Sequence, residues 1–271
     1  MPETASASSP ARSMLAAFAG GAIIGALGGL IGLGGAEFRL PLLIGAFRFR
    51  ALQAVILNKA MSLVVVASAL PFRAATVPFS AIGAHWSIIL NLLAGSLIGA
   101  WCGASWATRL ASHTLYRVIA VLLVGIAAVL LLGHDAPAGS GSFLLTGTAQ
   151  TVAGVVMGFV IGIVAALLGV AGGELLIPTL VLLFGADIKL AGSLSLAVSL
   201  PTMLVGFARY SRDRSFVVLG ENQVFVLVMA TGSVVGAFLG GRLLGLAPSP
   251  VLMPMLAVIL LLSAVKVWRH E

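Results

Sequence analysis

The chain has 271 residues, of which 60% are hydrophobic and only 8% are charged, whereas a soluble domain averages about 25% charged residues. This composition excludes a water-soluble fold. The net charge of +7 comes from basic residues scattered over short loops, so we expect the lipid bilayer, and no nucleic acid, as the partner of the surface.

Glycine, proline and charged residues divide the sequence into ten predicted helical segments. Their approximate bounds are 14–33, 35–47, 51–71, 84–108, 114–133, 143–169, 172–184, 189–208, 221–245 and 250–268. Most of these runs reach the roughly 20 residues that cross a bilayer as a helix, and they favour an all-α membrane protein over a barrel. Segments 35–47 and 172–184 are shorter, at about 20 Å of helix, so each should end inside the membrane. Residues 1–13, rich in Ser, Ala and Pro, predict a disordered tail.

The two short segments belong to a stretch that the chain contains twice. A shift of 137 residues aligns residues 21–63 with residues 158–200 without a gap, and 15 of these 43 positions are identical. The identical positions include Gly35/Gly172, Glu37/Glu174 and Pro41/Pro178. Shared apolar composition would not match glycines, a glutamate and a proline together, so we predict two repeats, at 14–133 and 143–268.

Each repeat begins with a broken, re-entrant helix pair and contains five segments. If the broken pair enters and returns, each half crosses the membrane an odd number of times, and the second half is inverted relative to the first. With both termini in the cytoplasm, ten basic residues lie on the inner side and three lie on the outer side, as the positive-inside rule requires. The linker at 134–142, which has no Lys or Arg, is then periplasmic, and residues 269–271 form a cytoplasmic end.

The breaks are the candidate binding site. Irregular backbone survives at membrane depth only where protein buries it or water reaches it. Helices that restart near Gly35 and Gly172 would point free N–H groups and the positive end of a helix dipole toward the centre of the membrane, where they favour an anion. The alternative, that the glycines only allow close helix packing, is preferred for the runs at 95–103 and 232–240.

Charged and hydroxyl side chains inside the predicted spans are the other candidates. Glu37 and Glu174 stand in the first turns of the short helices, where each either binds a proton or caps its own helix. Lys59, next to Asn58, is the better candidate for holding an anion, and Arg39 is a second residue that could attract one. The polar set in the second half is Ser193, Ser195 and Ser199, although serines in membrane helices also bond their own backbone.

A glycine cluster followed by a proline, and then by a polar step on the next helix, occurs in Gly34-Gly35 to Pro41 and again in Gly172-Gly173 to Pro178 with Ser193-Leu194-Ser195-Leu196. With this pattern the chain, from about residue 18 to 268, resembles the sulfite exporter TauE/SafE family. The resemblance implies an inner-membrane permease for sulfite or small organosulfonates, with a proton-linked mechanism. The first half departs from the pattern, since Asn58-Lys59-Ala60 stands at the polar step, and this leaves the substrate open.

The sequence therefore predicts a secondary transporter that exports a small sulfur-containing anion, such as sulfite or sulfoacetate, across the inner membrane. A permease or channel for another small anion or sulfur compound is the alternative. The predicted substrate-binding residues are Gly34, Gly35, Asn58, Lys59, Gly172, Gly173, Ser193 and Ser195, with Glu37 and Glu174 as candidates for proton coupling. Motifs of membrane-embedded hydrolases are absent and the histidines show no metal-ligand spacing, so we expect no enzyme, metal or cofactor. The oligomeric state is open.

Overall fold

The computed structural model describes residues 14–31, 35–74, 79–132 and 146–243, together with residues 258, 261, 262, 264, 265, 267 and 268. The predicted tail, the linker at 134–142, Gly34 and residues 269–271 lie outside these residues. So does most of the last predicted segment.

The described chain is helical, and no strand occurs in it. The helices are α1 (Met14–Ile31), α2 (Ala36–Gly45), α3 (Ala51–Ala74), α4 (Phe79–Ala84), α5 (Trp86–Ala107), α6 (Ser112–Leu132), α7 (Gly147–Leu168), α8 (Gly173–Phe184), α9 (Ile188–Tyr210), α10 (Val217–Glu221) and α11 (Gln223–Leu243). A 3₁₀ turn at Arg214–Phe216 precedes α10.

Nine of the ten predicted segments correspond to these helices, and the two short helices α4 and α10 were missed. The first has six residues and the second five. A helix of fewer than two turns shows too little periodicity for the pattern of apolar residues to reveal it.

Five helices contain apolar stretches long enough to cross a membrane. These stretches are Ala51–Ala69, Trp86–Ala107, Gly147–Leu168, Leu190–Tyr210 and Gln223–Gly240. Large apolar side chains also cover the outside of the bundle: Leu227 on α11 and Ile98 on α5, for example, are 62% and 60% exposed. Such residues are suited to contact with lipid, so the chain is an all-helical, multi-pass membrane protein.

The duplication in the sequence is also a duplication of helices. When the first half is shifted by 137 residues, α1 to α5 overlap α7 to α11. The first residues of α2, α3 and α5 then coincide with the first residues of α8, α9 and α11. Helix packing follows the same rule, because α1 packs along α11 and α5 packs along α7. The first helix of each half is therefore paired with the fifth helix of the other half.

Glycines allow these two pairs to approach closely. A Cβ at Gly99 would clash with the carbonyl oxygen of Phe159 on α7, and one at Gly236 would clash with that of Ala22 on α1. Gly95, Gly103, Gly232 and Gly240 face carbonyls of the same partner helices. The packing interpretation of the runs at 95–103 and 232–240 is confirmed.

The centre of the described bundle is formed by α3 and α9, which contact each other. Helix α2 packs on α3, and α8 packs on α9. This arrangement places the two interruptions, at the starts of α2 and α8, next to the two most buried spans.

Candidate functional site

Both apolar runs are interrupted where the sequence predicts it. Helix α7 ends at Leu168 and α8 begins at Gly173, and between them Gly169 and Gly172 have φ of 67° and 81°. In the first half α1 ends at Ile31, and Gly35, with φ of 68°, precedes α2. Glycine adopts this left-handed conformation without the steric penalty of a Cβ, so Gly169 can end α7, and Gly172 and Gly35 can precede the restarting helices.

The restarting helices have no side-chain cap. In α2 the N–H groups of Phe38 and Arg39 bond the Gly35 carbonyl, and in α8 those of Leu175 and Leu176 bond the Gly172 carbonyl. The N–H groups that precede them in each first turn have no backbone partner within the helix, and those of Glu37 and Glu174 interact with the carboxyl groups of the same residues. These N–H groups form the positive end of each helix dipole.

The two glutamates meet at these helix starts. The carboxyl groups of Glu37 and Glu174, one from each half, lie within interaction range of each other and are 1% and 2% exposed. Glu37 Oε2 and both carboxyl oxygens of Glu174 have no hydrogen-bond partner among the described residues. Pro41 and Pro178, four residues further on, cannot donate to the glutamate carbonyls. Each start thus presents a carboxyl group and a carbonyl that lacks its helical donor.

Arg39 is the largest fully buried side chain of the site. Its Nε donates to Asn58 Oδ1 over 2.8 Å, one terminal nitrogen donates to Ser62 Oγ over 2.6 Å and the other to Ser233 Oγ over 3.1 Å. Ser62 and Asn58 lie on α3, whereas Ser233 lies on α11, so the guanidinium connects the two halves. All three acceptors are neutral, and no carboxylate oxygen of the described chain lies within 4 Å. A guanidinium has five N–H donors, and the bonds to Asn58, Ser62 and Ser233 use three of them. Two N–H donors of Arg39 are therefore not used by these acceptors.

Asn58 and Lys59 point to the interruption of the other half. Asn58 Nδ2 donates to the carbonyls of Ala36 and Leu168, both over 3.0 Å. Lys59 Nζ donates to the carbonyls of Ala165 over 2.9 Å and Val170 over 3.2 Å. In this structure both side chains therefore satisfy backbone carbonyls at the carboxyl end of α7. The expected binding of an oxyanion by Asn58 and Lys59 stays a prediction.

The remaining carbonyls at that end are satisfied from α9. Ser199 Oγ donates to the Ala171 carbonyl over 2.7 Å and the Tyr210 hydroxyl to the Ala166 carbonyl over 2.9 Å. Carbonyls that a broken helix exposes inside a membrane must find donors in the protein. Four side chains from two helices supply them, which satisfies the carbonyls that the interruption exposes.

The other predicted residues are the two serines of α9 and the glycines at the helix starts. Ser195 Oγ donates to Gly192 in its own helix over 2.9 Å, which is the local bonding considered above as the alternative. Ser193 is buried. Gly35 and Gly172 are the residues before the two restarting helices, and Gly173 is the first residue of α8, so their backbones are where the sequence predicts them.

Sequence reasoning missed three polar residues in this region, Ser96, Thr202 and Ser233, and did not assign a role to Tyr210. Ser96 and Ser233 occupy equivalent positions in the two halves. Ser233 accepts from Arg39, whereas Ser96 is bonded to Thr202 over 2.7 Å. A hydroxyl repeated at the 137-residue shift inside an apolar helix was the signal that could have identified this pair.

A helical membrane bundle in which two interrupted helices bring acids, cations and free helix ends together is typical of secondary transporters. The chain belongs to the sulfite exporter TauE/SafE family, whose model matches residues 5–267, and the resemblance inferred from the sequence is confirmed. This is a family of membrane transporters for sulfur anions. No curated protein and no solved structure gives a significant match to the chain.

Proposed function

We propose that the protein is a secondary transporter that exports sulfite or a small organosulfonate, such as sulfoacetate, across the inner membrane. The observation that carries the proposal is Arg39, a fully buried guanidinium bonded only to neutral groups. Glu37 interacts with Arg39 electrostatically but forms no ion pair with it within 4 Å, and a buried charge without a paired counterion is costly. A small oxyanion that accepts from the free guanidinium donors would supply the missing charge, with geometry that suits arginine.

The helix starts add donors for the same anion. The N–H groups near Gly35, Gly172 and Gly173 that have no backbone partner within the helix, together with the two helix dipoles, favour negative charge. Gly34, Ser193, Ser195, Asn58 and Lys59 remain further predicted contacts. Burial of the whole cluster supports an occluded site that opens alternately to each side, and it is less compatible with a channel, whose path stays open.

Two inverted repeats are the proposed architecture. The exchange of partners between halves, with α1 on α11 and α5 on α7, is the packing that two repeats related by a pseudo-twofold axis produce. Both termini are assigned to the cytoplasm because of the ten-to-three distribution of basic residues between the two sides. Arg209 and Arg212, on the proposed cytoplasmic side, lie over the ring of Trp101, as residues of a membrane interface commonly do.

Proton coupling is assigned to Glu37 and Glu174. Two carboxyl groups that share a buried site do not readily carry two charges, so binding of a proton by one of them relieves the repulsion. Glu37 also attracts Arg39 electrostatically. An oxyanion that binds Arg39 competes with the charged form of Glu37, and its arrival favours protonation of that glutamate. Anion binding and proton binding are then linked.

The test is flux in proteoliposomes that contain the purified full-length protein. Radiolabelled sulfite should accumulate against its gradient when a pH difference is imposed, and unlabelled sulfoacetate, thiosulfate and taurine, added in turn, should rank the substrate class by competition. Sulfite accumulation that is the same with and without the pH difference would exclude proton coupling. Flux that only ever runs down the sulfite gradient would favour the channel, and no flux of any of these compounds would refute the proposed substrate class.

A further inference from the structure

The ammonium group of Lys59 lies at a place that is suited to a cation. Its two acceptors, the carbonyls of Ala165 and Val170, belong to the last turn of α7 and to the residues that follow it. This is the negative end of a helix dipole. In transporters with interrupted helices, carboxyl ends of half-helices and unwound carbonyls are the groups that coordinate sodium ions or protons.

Nothing else in the described structure balances the charge of Lys59. The side chain is fully buried, its only hydrogen-bond partners are these two carbonyls, and no Asp or Glu oxygen of the described residues lies within 4 Å. The two backbone oxygens are therefore the only hydrogen-bond acceptors that the described residues offer to the ammonium.

The surrounding helices leave room for this group and little more. On α9, a Cβ at Gly206 would lie 3.2 Å from Lys59 Cε and 3.6 Å from Nζ. The absence of a side chain at Gly206 thus makes space for the end of the lysine. The residue of the second half that is equivalent to Lys59 is Leu196. A leucine cannot place a charge at the other interruption.

We propose that the ammonium of Lys59 is a built-in monovalent cation, which fills a carbonyl site that a free alkali or ammonium ion would otherwise occupy. The protein then needs no soluble cation at this interruption. This role differs from the oxyanion binding that the sequence predicts for Lys59, and it holds whichever anion is carried. It can therefore be tested without any substrate.

The test compares two variants of the full-length protein in detergent. Lys59→Ala removes the ammonium and its stem and leaves an empty space lined by the two carbonyls. Lys59→Met removes the same charge but fills the space with an apolar chain of similar length. Thermal unfolding of each variant is measured in choline chloride and then in ammonium, potassium and sodium chloride at equal ionic strength.

Lys59→Ala should be less stable than the original protein in choline chloride. At least one small cation should then raise its Tm saturably, by about 3 to 6 °C at ten times the dissociation constant. Ammonium is the first probe because it retains the N–H donors of lysine. The original protein and Lys59→Met should show no such increase. Tyr210→Phe, which deletes a neutral donor to the Ala166 carbonyl of the same segment, controls for a general loss of stability and should also show none.

Equal Tm values for Lys59→Ala in all four salts would overturn the proposal. An equal response of the original protein or of Lys59→Met would do so too, because the cation would then act elsewhere. Failure to recover folded Lys59→Ala even when the protein is extracted and purified in ammonium chloride also counts against it, since a soluble cation should restore the fold.

Discussion

Replacing Arg39 with methionine is the sharpest test of the anion site. The substitution keeps a long apolar side chain but removes the guanidinium and its bonds to Asn58, Ser62 and Ser233. The two structural effects oppose each other. Hydrogen bonds to a charged group contribute about 1.5 to 3 kcal/mol each, and removing a buried charge returns several kcal/mol of desolvation.

Because the two effects are of similar size and opposite sign, the free energy of unfolding should change by less than either of them, by roughly a few kcal/mol. Two of the acceptors keep bonds of their own, because Ser233 Oγ donates to the Met229 carbonyl and Asn58 Nδ2 donates to two carbonyls. Anion binding has no such compensation. Losing one member of a buried, hydrogen-bonded charge pair costs about 2 to 5 kcal/mol, which corresponds to roughly 30- to several-thousand-fold weaker binding.

The measurement is the Tm of the purified variant with and without sulfite, followed by sulfite uptake in proteoliposomes. Arg39→Met should remain folded, show no increase of Tm with sulfite and lose uptake. Arg39→Lys should recover only part of the affinity, because an ammonium cannot reproduce the planar fork of donors. Arg50→Met, at an exposed position near the start of α3, is the matched control and should behave like the original protein. Folded Arg39→Met that takes up sulfite within about threefold of the original rate would refute the site.

Two further predictions concern the acids and the helix packing. Glu174→Gln should abolish sulfite accumulation driven by a pH difference while sulfite exchange continues, because the proton site is lost and the anion site is kept. Glu221→Gln, at an exposed position, is the control and should retain both activities. Accumulation of sulfite by Glu174→Gln under a pH difference would contradict the assignment. Gly99→Val should destabilise the protein by about 1 to 3 kcal/mol or more, measured as a lower Tm, because a Cβ there meets the α7 backbone. The same change at Gly125 on α6, where a Cβ meets nothing within 4 Å, should have little effect.

Much of the scaffold could be predicted because its causes are local or repeated. A glycine cluster ends a helix through its own backbone conformation, so the interruptions near Gly35 and Gly172 were visible in the sequence. The 137-residue shift then revealed the two repeats, whereas the pairing of α1 with α11 and of α5 with α7 is shown by the structure. The spacing of Gly95, Gly99 and Gly103, repeated in the second half, indicated close packing before the partner helix was known.

The side-chain contacts of the site could not be predicted, because tertiary packing decides them. Arg39 reaches Ser233, which is 194 residues away in the chain, and no local pattern encodes that contact. Lys59 and Asn58 are adjacent in sequence, and a lysine beside an amide in an apolar helix suggests an anion site. The structure shows that the carboxyl end of α7 lies beside these two residues, and that both side chains donate to its carbonyls.

The distribution of charge also bears on how the proposed transport cycle is biased. Glutamates occur at equivalent positions in both halves, whereas the cations Arg39 and Lys59 have Leu176 and Leu196 as their counterparts. In an inverted-repeat transporter the halves exchange conformations between the inward- and outward-facing states. The bonds of Arg39 and Lys59 across the halves then have no equivalent in the exchanged arrangement, so the two states of the empty protein differ in free energy. The residue that binds the anion would thereby also help to set the side to which the empty site faces.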